Sequence, residues 1–238
     1  MNIGSILNYL KISPSMQRHK NLRVIGTSHI AIESVQEVQK VIKELKPRVV
    51  ALELDQTRLH ALLSGKKKRP SIADVRKVGV KGFLFNLLGA WIEKKLGKIV
   101  STPPGSEMRA AVAAAREEGA TIALIDQDIH ITLKKLSKSI TLKEKVRFAR
   151  DLLIGARGKW GEERIDLRRV PDEKVIKGVT ERVKKEYPSV YRVLIKERDE
   201  VMAKNLYKLM RMYEGKVIVA VVGAGHEAEI VEIIKRME

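Results

Sequence analysis

The sequence predicts an α/β fold: a largely parallel sheet with flanking helices, and a helical insertion before the last strand–helix unit. Three observations predict it. Short, predominantly apolar runs at 49–54, 122–125 and 216–222 read as strands covered on both faces, the signature of a parallel sheet. A segment of helical period, 32–45, separates the strand Arg23-Val24-Ile25 from the run that starts at Val49. Strand, helix and strand in about thirty residues make a βαβ unit, whose crossover is right-handed and whose strands are parallel. Finally, 238 residues with 44% apolar content are enough for one large domain with a buried core.

Along the chain, residues 1–20 read as a polar arm broken at Pro14, and 21–238 as a single domain. Ile32, Val35, Val38, Val41, Ile42 and Leu45 recur at three and four, one face of a helix that Pro47 stops. A short helix follows Arg58 as far as Leu63, then the basic turn Gly65-Lys66-Lys67-Lys68-Arg69-Pro70. Helix is expected around 83–96. Ser106 is a candidate cap for the Ala-rich helix 107–118, which Gly119 ends. Ile122–Ile125 is the third buried strand. Residues 132–213 show no strand pattern and form the helical insertion, with Glu197-Arg198-Asp199 placed just before a helix over 201–212. The apolar Val193-Leu194-Ile195 suggests that this triplet is docked, which would hold Arg198 or Asp199 in place. The strand 216–222 and the amphipathic helix 228–237 close the chain.

The first and last units share a plan. Each is an apolar strand, then Gly-X-X-His (Gly26 to His29, Gly223 to His226), then a helix with early acidic residues, Glu33 and Glu37 or Glu227 and Glu229. In parallel sheets functional groups collect beyond the carboxyl ends of strands. Four candidate positions fall there: His29, Glu53 with Asp55, Asp126-Gln127-Asp128, and His226. The glycines permit a tight turn or a close backbone approach to a ligand. Imidazole supplies a metal ligand or a base near neutrality, and Glu53 a third ligand or a base for water. Glu53 is otherwise a partly buried carboxylate paired with Arg58 or Arg198, and Asp55 and Arg58 pair at i, i+3 on a first helical turn. His19 and His130 have no such context and read as surface or local hydrogen-bonding residues, and His60, on a helix two residues beyond Arg58, is not taken as a site residue.

Composition bounds the chemistry. With no cysteine, disulfides and thiolate sites are excluded, and imidazole and carboxylate favour zinc, manganese or cobalt. The formal net charge of +18 points to an anionic partner, nucleic acid or a phospholipid surface, or to an ordinary basic surface. No RNP strand, zinc-finger spacing or helix-turn-helix pattern accompanies it. High Lys, Arg and Glu without Cys suggests a heat-adapted source. No secretory leader is evident, and the most apolar stretch, 83–92, is about ten residues against the roughly 20 that span a bilayer. The chain as given is expected to be cytoplasmic.

Six short motifs, in order over most of 23–238, resemble the TraB/PrgY family: 24–29, 51–58, 104–111, 124–129, 197–203 and 221–226. That family is named for pheromone-shutdown proteins of conjugative plasmids and also occurs in archaea. The resemblance implies an erythromycin-esterase/ChaN-like α/β fold. It also implies kinship with Tiki metalloproteases, whose sites use paired Gly-X-X-His motifs and an acidic residue. Carried over, His29, His226 and Glu53 are the metal ligands, with Glu53 and, from their motifs, Arg198 and Glu107 catalytic. Gly26, Gly223, Asp55 and Arg58, near the same strand ends, are the candidate substrate-binding residues. Many relatives have Asp-Arg-Asp where this chain has Asp126-Gln127-Asp128. Many also continue into C-terminal membrane helices, so an excised domain would be membrane-associated, its basic surface facing anionic lipid. The expected function is metal-dependent hydrolysis of small peptides, by manganese, cobalt or zinc. Its alternatives are a non-catalytic peptide-sequestering module and a basic nucleic-acid or lipid-surface binder.

Overall fold

A computed structural model describes residues 16–27, 32–64, 105–156 and 173–238. The expected α/β architecture is present: a five-stranded sheet, parallel in all but one pairing, with helices on both faces. Its strands are β1 (Met16–His19), β2 (Leu22–Thr27), β3 (Val49–Leu52), β4 (Thr121–Leu124) and β5 (Ile218–Gly223), in the spatial order β1-β2-β5-β3-β4. The helices are α1 (Ile32–Leu45), α2 (Gln56–Ser64), α3 (Ser106–Glu117), α4 (Ile129–Ser139), α5 (Leu142–Ala156) and α6 (Glu173–Glu186). After them come α7 (Pro188–Tyr191), a π-turn (Arg192–Lys196), α8 (Glu197–Met212) and α9 (Glu227–Arg236).

Strand alternation divides the core into two halves. Ile218, Ala220 and Val222 of β5 join Leu22, Val24, Val49 and Ala51 under α8 and α9, where Met202, Leu206, Ile230 and Ile234 pack. Val219 and Val221 point the other way, with Ile25, Val50 and Leu52, against Val38, Val41 and Ile42 of α1 and Met108, Ala111 and Ala115 of α3. Burial on both faces is why these strands lack a polar alternate. Each fully buried Val, Leu or Ile contributes roughly 1.5–3 kcal/mol relative to exposure. Central β5 is buried at every position, and edge strand β4 only partly.

The last strand enters the middle of the sheet. β5 pairs with both β2 and β3, so the first and last units of the chain are neighbours, with Gly26 opposite Val222 and Thr27 opposite Gly223. Both strands therefore end at the same edge of the sheet. Residues 28–31 lie outside the described residues, as do 65–104, which include the expected helix around 83–96.

Several boundaries differ from expectation. Met16–His19, read as the end of a polar arm, add an antiparallel edge strand to β2, because a four-residue edge strand needs little apolar content. Ser106 opens α3 rather than capping it. The cap position is Gly105, in the left-handed region at φ 82°, with no side-chain bond. Gly119 (φ 66°) follows the end of that helix as expected. Glu197-Arg198-Asp199 forms the first turn of α8 instead of preceding it, since the π-turn joins α7 to α8 without a break. Among the described residues, 132–213 holds no strand, and no helix is long and apolar enough to cross a membrane.

Candidate functional site

The carboxyl ends of β3, β4 and β5 and the first turn of α8 converge on one buried cluster. Glu53, one residue beyond β3, continues the ladder with its own N–H bonded to Val221 O at 3.1 Å. That sets its side chain toward β5, where Oε2 accepts from Gly223 N–H at 2.6 Å. Its other oxygen, Oε1, accepts from Arg198 Nη2. Arg198 also holds Asp126, beyond β4, through Nε–Oδ1 (3.1 Å) and Nη2–Oδ2 (2.6 Å), and its Nη1 donates to Leu194 O. Asp126 takes a second guanidinium, Arg58 Nη2 on Oδ2, and Arg58 Nε donates to Asp55 Oδ2 at 2.6 Å. A chain of alternating charge thus runs Asp55, Arg58, Asp126, Arg198, Glu53.

His226 extends it. The ring sits at the start of α9, with Nδ1 2.5 Å from Asp199 Oδ1 and Nε2 3.6 Å from Glu53 Oε1. Asp199 is 1% exposed, one residue after Arg198, so one helical turn places both groups. Burial disfavours the imidazolium, but Glu53 and the bond to Asp199 outweigh it and leave the His226 pKa above its ordinary value. Burial, helped by Glu53, raises Asp199 as well, against the pull of His226. Both shifts have one meaning: this pair holds its proton more tightly than either group does in water. Burial lowers Arg198 and raises Asp126, yet their mutual contact wins, raising Arg198 and lowering Asp126.

The glycine of the first motif has a packing reason. A Cβ on Gly26 would lie 2.2 Å from Glu227 Oε2 and 3.1 Å from Ala224 Cα. What approaches Gly26 closely is therefore the protein itself: the Glu227 carboxylate, which also accepts from Gln17 N–H of β1 at 2.9 Å.

Of the residues singled out from sequence, Glu53, Asp55, Arg58, Arg198, Gly223 and His226 are brought together. Glu53 pairs with Arg198 rather than Arg58, and the i, i+3 pair of Asp55 with Arg58 is present. Glu107 is buried in the first turn of α3. His29 lies outside the described residues. Asp128 caps α4, accepting from His130 N–H, while Gln127 bonds Thr132 and Lys135. His19 pairs with Glu238, and His60 and His130 are exposed. Sequence reasoning did not identify Asp126 as the carboxylate shared by two arginines, nor Asp199 as the partner of His226. The one signal for the second was the apolar 193–195 that docks its turn.

The fold and this cluster define an α/β protein with a polar centre at the carboxyl edge of a parallel sheet. The model of the TraB/PrgY/gumN family matches residues 15–238, and the chain belongs to that family. It is similar to an uncharacterized protein of Methanocaldococcus jannaschii, 37% identical over 227 residues, covering 92% of this chain and 54% of that one. TraB domain-containing proteins of Bos taurus and Homo sapiens are 26% identical over 234 and 237 residues. Each match covers 85% of this chain, and 59% and 60% of those proteins. The chain therefore spans a little over half the length of these relatives.

Proposed function

We propose that the chain is a metal-dependent hydrolase of small peptides, its reacting centre lying between His226 and Glu53. The observation that carries this reading is the 3.6 Å approach of His226 Nε2 to Glu53 Oε1, at the ends of the adjacent parallel strands β5 and β3. An imidazole nitrogen and a carboxylate oxygen are the donor types that suit zinc, manganese or cobalt. The donor chemistry fits. Among the described residues no three possible ligands surround one point. This reading takes its third ligand from His29, outside them. Peptides are the substrate class because the motifs resemble those of metal-dependent peptidases.

A divalent ion bound there supplies a Lewis acid that polarises a carbonyl and makes water a better nucleophile. The chain's own residues supply the positioning. Gly223 N–H and Arg198 fix Glu53 from two sides, Asp126 fixes Arg198, and Arg58 ties Asp126 to α2. Metal analysis and cleavage of a mixed peptide library by wild type, His29→Ala, His226→Ala and Glu53→Gln test the reading. Bound metal and chelator-sensitive cleavage are expected in wild type, and loss of both in each variant. Metal content and cleavage indifferent to all three substitutions would retire it.

One observation favours a second reading, a non-catalytic peptide-binding module. Both oxygens of Glu53 already have partners, as in a structural ion pair. That reading requires peptide binding that persists in chelator and in His226→Ala.

A further inference from the structure

We propose that Asp199 decides which nitrogen of His226 carries the ring proton, holding it on Nδ1 and leaving Nε2 bare toward Glu53. The importance of this rests on His226 being a site residue; its test reads the ring itself. A neutral imidazole has one N–H to offer, and two carboxylates flank this one. Asp199 Oδ1 lies 2.5 Å from Nδ1, while Glu53 Oε1 lies 3.6 Å from Nε2, beyond hydrogen-bond range. Glu53 is also the weaker claimant because Arg198 and Gly223 N–H already occupy its oxygens. Asp199 is 1% exposed, and a bond formed away from water is electrostatically stronger. The nitrogen left bare is the one that can take a cation or accept a proton. Asp199 acts through His226 and is a positioning residue.

The π-turn is an independent sign that this placement is built. Ser189 and Val193 are buried on the segment before α8. Continued at α-helical pitch, their line would pass through Glu197, Glu200 and Lys204, none of which is buried. The buried line of α8 is instead Asp199, Met202, Ala203, Leu206 and Met210. The wider turn at Arg192–Lys196 makes this change of register, and such turns recur at functional sites. Leu194 O, within the turn, accepts from Arg198, so the turn also steadies the neighbouring guanidinium.

Long-range proton–nitrogen spectra of the histidine-labelled full chain, at a pH where the ring is neutral, report its tautomer directly. Chelator treatment ensures that no cation holds Nε2, and His226→Gln assigns the signals. A protonated Nδ1 and a bare Nε2 are expected in wild type. Asp199→Ala should move the proton to Nε2, where Glu53 remains, and Glu53→Gln should leave it on Nδ1. A wild-type ring protonated on Nε2, with Asp199 itself carrying the proton to Nδ1, overturns the proposal. So does a folded Asp199→Ala whose ring is unchanged. Were that variant to unfold, the wild-type and Glu53→Gln spectra would still decide. A ring protonated on Nδ1 in a chain that binds no metal and cleaves no peptide would sink the hydrolase reading alone.

Discussion

Asp126 is the residue on which the cluster depends most. Its side chain is fully buried between two guanidiniums, so removing it leaves two partly buried cations without their shared counter-charge. Breaking a buried pair costs about 3–5 kcal/mol, and Asp126→Asn is expected to lose stability on that scale in urea unfolding. Asp128, two residues on, caps α4 with its side chain. Asp128→Ala should cost only about 1 kcal/mol. Equal losses at the two positions would contradict the hub role of Asp126. From sequence, both belonged to one acidic run at a strand end. Nothing local separates them, because the difference lies in Arg58 and Arg198, 68 and 72 residues away.

At the scale of elements, the first turn of α9 is clamped between β1 and β2. Glu227 bonds Gln17 N–H on one side and lies over Gly26 on the other. Gly26→Ala cannot be accommodated unless that carboxylate moves, and a forced overpacking of this kind costs about 1–3 kcal/mol. In Glu227→Ala the same substitution should cost much less, and a double-mutant cycle in urea measures the difference. Strictly additive losses would show that Glu227 is not what constrains Gly26. The glycine was legible as a position of close approach. The group approaching it was not, since 201 residues separate Gly26 from Glu227 and only the pairing of β2 with β5 brings them together.

For the whole molecule, charge acts in two opposite ways. The chain carries an excess of +18, whose self-repulsion weakens the compact state and is screened by salt. Moderate salt should therefore raise the thermal midpoint, and a midpoint that falls with salt would mean that exposed ion pairs dominate. Acid acts on the buried cluster. Burial alone would raise Asp126 and Asp55, but Arg198 and Arg58 for the first, and the bonds from Arg58 for the second, hold both below the usual carboxylate range. Carboxyls lowered on folding stabilise the native state above their unfolded pKa, near 4, and lose that contribution as pH falls through the lower folded values. Stability should drop below about pH 4, and Asp126→Asn should flatten that drop in denaturant titrations at successive pH values.

Local spacing was enough to determine several of the elements. The period of α1, the apolar runs of the inner strands and the glycine after α3 act within a few residues, and each appears where the pattern put it. Spacing also marked Glu53 and His226 as candidates, because strand ends in a parallel sheet are where chemistry collects. Arg198 was a candidate from its docked triplet and the family motif. Tertiary structure decided the long-range partners. Inserting β5 between β2 and β3 brought Gly223 and His226 to Glu53, and the π-turn set Arg198 and Asp199 toward them. Hydrogen bonds and ion pairs act over a few ångströms, whereas these partners are 27 to 173 positions apart in the chain. Which carboxylate meets which cation follows from strand order and helix register, and neither is written in any one segment.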